Sequence, residues 1–151
     1  MFIYYNMIKN RDILTIIKKL YKYYTLWVIT LTFLYYLGDF EDYYLDLVFL
    51  HLMISMLTLY IVYIEPKILH IDLGIIKFDL EGPKLVLLDI LFHHIPLLLL
   101  LANPGKIKKS FLPLVLPLFY RLFNSPKDVY GINDIVSFMI YSFCTISYLL
   151  F

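Results

Sequence analysis

The chain has 151 residues, of which 62% are apolar, 19% aromatic and 17% charged, with a formal net charge of +1. An ordinary soluble domain is about 25% charged, and one of this size buries at most roughly 60–70% of its surface. So much apolar surface on so short a chain excludes a soluble globular domain, a disordered chain and a nucleic-acid binder, and calls for a bilayer as solvent. The bias towards Phe, Tyr, Ile, Lys and Asn, with one Ala and five Gly, points to an AT-rich genome such as that of a virus or an organelle. It also leaves no GxxxG pattern, so membrane helices must pack through bulky side chains. The lone cysteine, Cys144, lies in an apolar run and reads as a core thiol.

The charge is unevenly placed. Lys9, Arg11, Lys18, Lys19 and Lys22 face a single acid, Asp12, in the first 22 residues. Ile13, Leu14, Ile16, Ile17, Leu20 and Tyr21 recur there at helical spacing, which predicts a basic, amphipathic helix lying on an anionic leaflet over residues 1–22. A cleaved signal peptide is not expected, because the first long apolar run starts only near Tyr23 and lacks a small-residue cleavage site.

Five apolar stretches make up the remaining domain, residues 23–151. They are Tyr23–Leu37, Tyr43–Ile64, Leu85–Ala102, Phe111–Phe123 and Ile135–Phe151. A spanning helix needs about 20 residues, with roughly 17 as the lower limit. The second, third and fifth meet that length, and the first reaches it with its Tyr and Lys flanks. The fourth is short and broken by Pro113 and Pro117, so it reads as re-entrant or buried among the others. The expected fold is an all-α polytopic bundle of four or five membrane helices behind the interfacial segment. The connection Glu65–Lys84, punctuated by Pro66, Gly74, Gly82 and Pro83, fits a short surface hairpin or interfacial segment.

If all five stretches cross, ten Lys and Arg fall on the N-terminal side and Lys106, Lys108 and Lys109 on the other, with the acidic cluster Asp39, Glu41 and Asp42. The positive-inside rule then puts the N-terminus on the inner side of an organellar, endoplasmic-reticulum or viral membrane, with the lysine trio as an exception.

The few ionisable groups inside the stretches are where chemistry is sought, since each costs about 2.5–3.5 kcal/mol at a helix centre. Asp89, His93, His94 and Pro96 stand together in the third stretch. Asp89 and His93 are four residues apart and expected to share a face, the carboxylate orienting the imidazole as a general base. His94 points about 100° away, towards another helix. A packing staple is the plainer reading of the same residues. His51 reads as an inter-helix hydrogen bond, and a metal site built with Asp46, His51, Asp89, His93 and His94 has no supporting spacing. Thr25, Thr30, Thr32, Ser55, Thr58, Ser137, Ser142, Thr145 and Ser147 are candidate nucleophiles, although most such hydroxyls bond back to their own helix.

Tyr21-Lys22-Tyr23-Tyr24-Thr25-Leu26, Tyr63-Ile64-Glu65-Pro66 and Phe92-His93-His94-Ile95-Pro96, with fainter echoes at Tyr120 and Val129-Tyr130-Gly131, resemble motifs of the androgen-induced-gene type of integral membrane threonine hydrolases. The resemblance covers residues 21–151, and the family's Asn-His-x-x-His-Thr spacing is not preserved. It implies cleavage of hydroxy-fatty-acid esters, with Thr25 as nucleophile and His93 or His94, oriented by Asp89, as base; no cofactor is implied. The rival expectations are a non-enzymatic structural subunit of an organellar membrane complex or of a viral membrane, with protein partners besides membrane lipids, and a proton or ion pathway through Asp46, His51, Asp89 and His93.

Overall fold

Long runs of Leu, Ile, Phe and Tyr leave the backbone one economical way to satisfy its own polar groups without water, which is to coil. The computed structural model describes residues 15–17, 19–38, 41–72 and 77–151. Residues 15–17 and 19–20 are helical and Tyr21 and Lys22 form a turn; residues 1–14 and 18 of the expected amphipathic segment, with Lys9, Arg11, Asp12 and Lys18, lie outside the described residues, as does Asp39. The main helices are α1 (Tyr24–Tyr36), α2 (Tyr44–Ile64), α3 (Gly82–Ala102), α4 (Leu112–Phe123), α5 (Pro126–Tyr130) and α6 (Asp134–Leu150). The protein is thus mostly helical, and α2 and α3 are long and apolar enough to cross a membrane. At 1.5 Å per residue each extends about 31 Å, close to the roughly 30 Å of a hydrocarbon core.

Both long helices loosen just before a proline. Proline lacks an N–H, and in an α-helix its ring collides with the carbonyl four residues back. In α2 the turn Tyr60–Ile64 widens to a π-helix two residues before Pro66, and in α3 Ile90–His94 does the same before Pro96. The Glu65 N–H accordingly reaches Tyr60 O at 2.9 Å, five residues back.

The expected hairpin forms between α2 and α3. Strand β1 (Leu69–Asp72) pairs antiparallel with β2 (Lys77–Leu80), setting Leu69 opposite Leu80 and Ile71 opposite Phe78. Strand alternation puts those four on one face and His70, Asp79, Asp72 and Lys77 on the other. Helix α5 is a local design that composition hides: Ser125 caps it, Pro126 starts it, and Gly131 ends it at φ +67, where Lys67 Nζ donates to the Gly131 carbonyl at 2.5 Å.

Helix α2 lies at the centre. Leu47, Leu50, His51, Met53 and Ile54 are buried around much of its circumference, and it touches α1, α3, α4 and α6. The others alternate in direction around it. The Tyr35 hydroxyl of α1 donates to the Asn103 carbonyl just past α3. Helix α4 enters beside the start of α2, where Ser110 binds Asp46, and leaves beside the start of α1, where Tyr120 donates to the Lys22 carbonyl. It therefore traverses the bundle and does not turn back, although its 12 residues extend only about 18 Å.

The lysine trio is also resolved. Lys108 pairs with Asp42 at 2.7 Å, Lys106 stands 4.0 Å from the same carboxylate, and Lys109 donates to Leu149 O at the C-terminal end of α6. Those cations sit at this end because an acidic loop and a helix C-terminus neutralise them. Outside the core, Phe33, Leu98, Phe111, Leu122, Ile135, Phe143 and Leu150 are exposed, and only 22% of the most apolar window of α3 is buried.

Asp46 ties one end of the bundle together. Its carboxylate accepts from Ser110 Oγ and from the Tyr148 hydroxyl, both at 2.5 Å. Asp46→Ala should cost about 1–3 kcal/mol by leaving those donors unpaired, and adding Tyr148→Phe should cost less than the sum of the two single changes; denaturation in detergent micelles measures both. The hydrogen bond and charge of Lys108, with Lys106 beyond it, hold the exposed Asp42 carboxyl below the usual carboxylate range. A depressed folded-state value means that its contribution is present above the ordinary aspartate value of about 3.9 and is lost as pH falls through the lower one. An NMR titration of Asp42 should show the depression, and Lys108→Ala or added salt should shrink it.

Candidate functional site

The polar residues of the bundle interior fall into register because helical neighbours lie three or four residues apart. His51, Ser55 and Thr58 run down one side of α2, facing Thr32 on α1 and Asp89 and His93 on α3. His51, Ser55, Thr32, Asp89 and His93 are all buried.

Their hydrogen bonds fix the proton positions. The Thr32 hydroxyl lies 2.8 Å from Val28 O, one turn back, and 2.8 Å from His51 Nε2. A carbonyl only accepts, so Thr32 donates its single proton to Val28, and His51 Nε2–H donates to Thr32. Neutral His51 then has a bare Nδ1, 3.0 Å from His93 Nδ1. His93 Nδ1 must therefore carry the proton of that bond, which leaves His93 Nε2 bare. That nitrogen is buried and has no hydrogen-bond partner. The relay runs from a backbone carbonyl through a hydroxyl and two imidazoles to one free lone pair.

Asp89 does not orient His93, contrary to the four-residue spacing. The π-turn at Ile90–His94 adds a residue to that turn, so the residue brought over Asp89 is His94, five along. His94 Nδ1 lies 3.0 Å from Asp89 Oδ2, its side chain 44% exposed on the outer face of α3. His93 is swung inward to His51. The Ser55 and Thr58 hydroxyls stand beside the Asp89 carboxyl, but Ser55 Oγ and Asp89 Oδ1 close no hydrogen bond.

His93 and Asp89 form part of the wall of a half-open cavity of about 370 Å³ lined by all six helices and the hairpin. Its lining is overwhelmingly apolar, and the inner face of the hairpin, Leu69, Ile71, Phe78 and Leu80, closes one side. The size falls within the ordinary range of ligand pockets, about 300–1,000 Å³. Thr25 lines the same cavity with its hydroxyl beside the phenol of Tyr130, and it makes no hydrogen bond to either imidazole. Tyr24, Tyr120 and Tyr130 share the lining and were not singled out as a group by sequence; their signal is a tyrosine cluster at a helix end, which reads equally as an interfacial belt.

The remaining candidates are engaged otherwise, Ser137 while lining the same cavity. Asp46 is bound to Ser110 and Tyr148 at the far end of α2 and makes no contact with His51. Thr30 donates to Leu26 O and Ser137 to Asp134 O, as ordinary helix hydroxyls do. Cys144 Sγ is buried 3.7 Å from Met56 Sδ. Among the described residues no three of His, Cys, Asp and Glu gather closely enough to hold a metal ion. Comparisons with known protein families, curated proteins and solved structures return no match.

The relay makes the two histidines unlike tautomers. Nitrogen-15 NMR of labelled imidazoles should find the proton of His51 on Nε2 and that of His93 on Nδ1. Two Nε2–H rings would break the relay as derived.

Proposed function

We propose that the protein is a multi-pass integral membrane protein whose cavity admits a lipid ester and presents His93 to it as general base. The observation that carries this reading is the bare, buried Nε2 of His93 on the wall of an apolar cavity that also exposes Thr25. Supporting a multi-pass arrangement, the helices alternate in direction and the outer surface is apolar. Lys19, Lys22, Lys67, Lys77, Lys84, Arg121 and Lys127 lie towards the hairpin end, opposite the lysines paired with Asp42. The positive-inside rule assigns that hairpin end to the inner side.

In this reading His93 Nε2 takes the proton of the Thr25 hydroxyl as its oxygen attacks the acyl carbonyl, forming a tetrahedral oxyanion. The Nδ1 proton of His93 shifts along the bond to His51, spreading the new positive charge over two rings. Collapse breaks the ester C–O bond, and His93 returns the proton to the departing alcohol. Water then attacks the acyl-threonine by the same route and releases the acid. Catalytic hydrogen bonds absent from a resting site commonly form only with substrate in place. Long-chain nitrophenyl ester hydrolysis in mixed micelles tests this. His93→Gln should lower kcat by about 10²–10⁴, and Thr25→Ala should abolish the acyl-protein that acid quenching traps. Full activity in both variants removes the hydrolase reading.

A non-enzymatic subunit has one observation of its own, the Asp89–His94 pair, whose imidazole is half exposed on the outer face of α3. A partner helix docked there would be released by His94→Ala, with ester hydrolysis absent from the start.

A further inference from the structure

The apolar cavity carries a few polar residues in its wall, and those without partners are unlike one another. His93 Nε2 and Asp89 Oδ1 are both buried acceptors without partners, and the Tyr24 and Tyr130 hydroxyls, also without partners, belong to residues of the same wall. A ligand that satisfies the two acceptors offers two hydrogens, and its own oxygens can accept from a tyrosine hydroxyl.

The geometry points to a neutral, single-chain lipid with a diol head of the glycerol kind: we propose that the cavity binds such a lipid, one hydroxyl donating to His93 Nε2 and the second to Asp89 Oδ1, with a head-group oxygen accepting from Tyr24. The alkyl chain lies along the apolar wall towards Ile71 and Leu80 of the hairpin. At His93 and Asp89 a carboxylate or phosphate head sets lone pairs against lone pairs and a negative charge beside Asp89, and a quaternary ammonium has no N–H to give; Arg121, the cation in the lining, is paired with Asp134. A volume of about 370 Å³ is near the small end of ligand pockets and suits one chain better than two. The inference rests on the reading of this cavity as a lipid site and adds the chemistry of the head group.

The test is binding of tritiated 1-O-hexadecylglycerol, an ether with no ester to cleave, to the full chain in micelles at about pH 8. Saturable binding is expected, with hexadecanoate and hexadecylphosphocholine competing at least about tenfold less well. His93→Phe should weaken it about tenfold, the effect of one hydrogen bond worth about 1.4 kcal/mol. Should that variant fail to fold, Tyr24→Phe removes only a hydroxyl from the same wall and should weaken binding several-fold. Equal competition by hexadecanoate, or undiminished binding in both variants, overturns the proposal. If head-group selectivity fails while ester hydrolysis survives, only this proposal falls; if none of the three probes binds, the cavity reading falls with it.

Discussion

Pro96 has no amide hydrogen, and the helix carrying it must open before reaching it. The turn Ile90–His94 absorbs the defect by widening, and one extra residue in a turn rotates everything beyond it relative to everything before. That rotation brings Asp89 together with His94 and turns His93 inward to His51. In an unbroken α-helix Asp89 and His93 would share a face and His94 would point about 100° away. Pro66 goes with the same loosening at the end of α2, where the residue five along, Glu65, accepts from the Tyr60 hydroxyl at 2.6 Å outside the buried cluster. The same local physics thus shapes a chemical site in one helix and ends a span in the other.

The bundle contains two clusters of buried polar groups, and they differ in completeness. At one end the carboxylate of Asp46 is held by Ser110 and Tyr148, linking α2, the approach to α4 and α6. Its donors and acceptors are matched, which is what a structural staple needs. The second cluster stops short. Thr32 and His51 are satisfied in sequence, yet the chain of bonds ends on a free nitrogen at His93, beside an unpaired oxygen at Asp89. In apolar surroundings each unmade bond costs about 1–3 kcal/mol. A fold that closes one cluster and leaves the other open towards a cavity has separated its architecture from its chemistry.

Much of this was readable before any coordinates. The five apolar stretches agree with α1, α2, α3, α4 and α6 within a few residues at their ends, because unbroken hydrophobic runs leave little choice of backbone. The hairpin between Pro66 and Gly82 was readable from its punctuation. The pairing of Asp89 was not, because the sequence rule assumes 3.6 residues per turn and Pro96 locally suspends it. Helix α5 carries a Ser-Pro start and a Gly stop, a signal available at Ser125, Pro126 and Gly131 but masked by its five-residue length. The lysine trio looked anomalous only because charge counting ignores which acid stands opposite: Asp42 is distant in sequence from Lys108 yet 2.7 Å from it in space.

The cavity itself follows from composition. With one alanine and five glycines in the chain, the helices lack the small residues that let backbones approach closely. Tyr24, Trp27 and Tyr120 meet edge to face or tilted, with ring centroids 5.1 and 5.5 Å apart, and such aromatic contacts hold α1 and α4 apart as well as together. Side chains this large and rigid cannot interdigitate at every level of a five-helix arrangement, so space is left where α1, α2 and α3 face one another. His93, with its unpartnered Nε2, forms part of the wall of that space, and the apolar face of the hairpin lies along another side. A bias in residue composition thereby leaves an apolar volume, and the prolines and histidines of two helices decide which groups stand beside it.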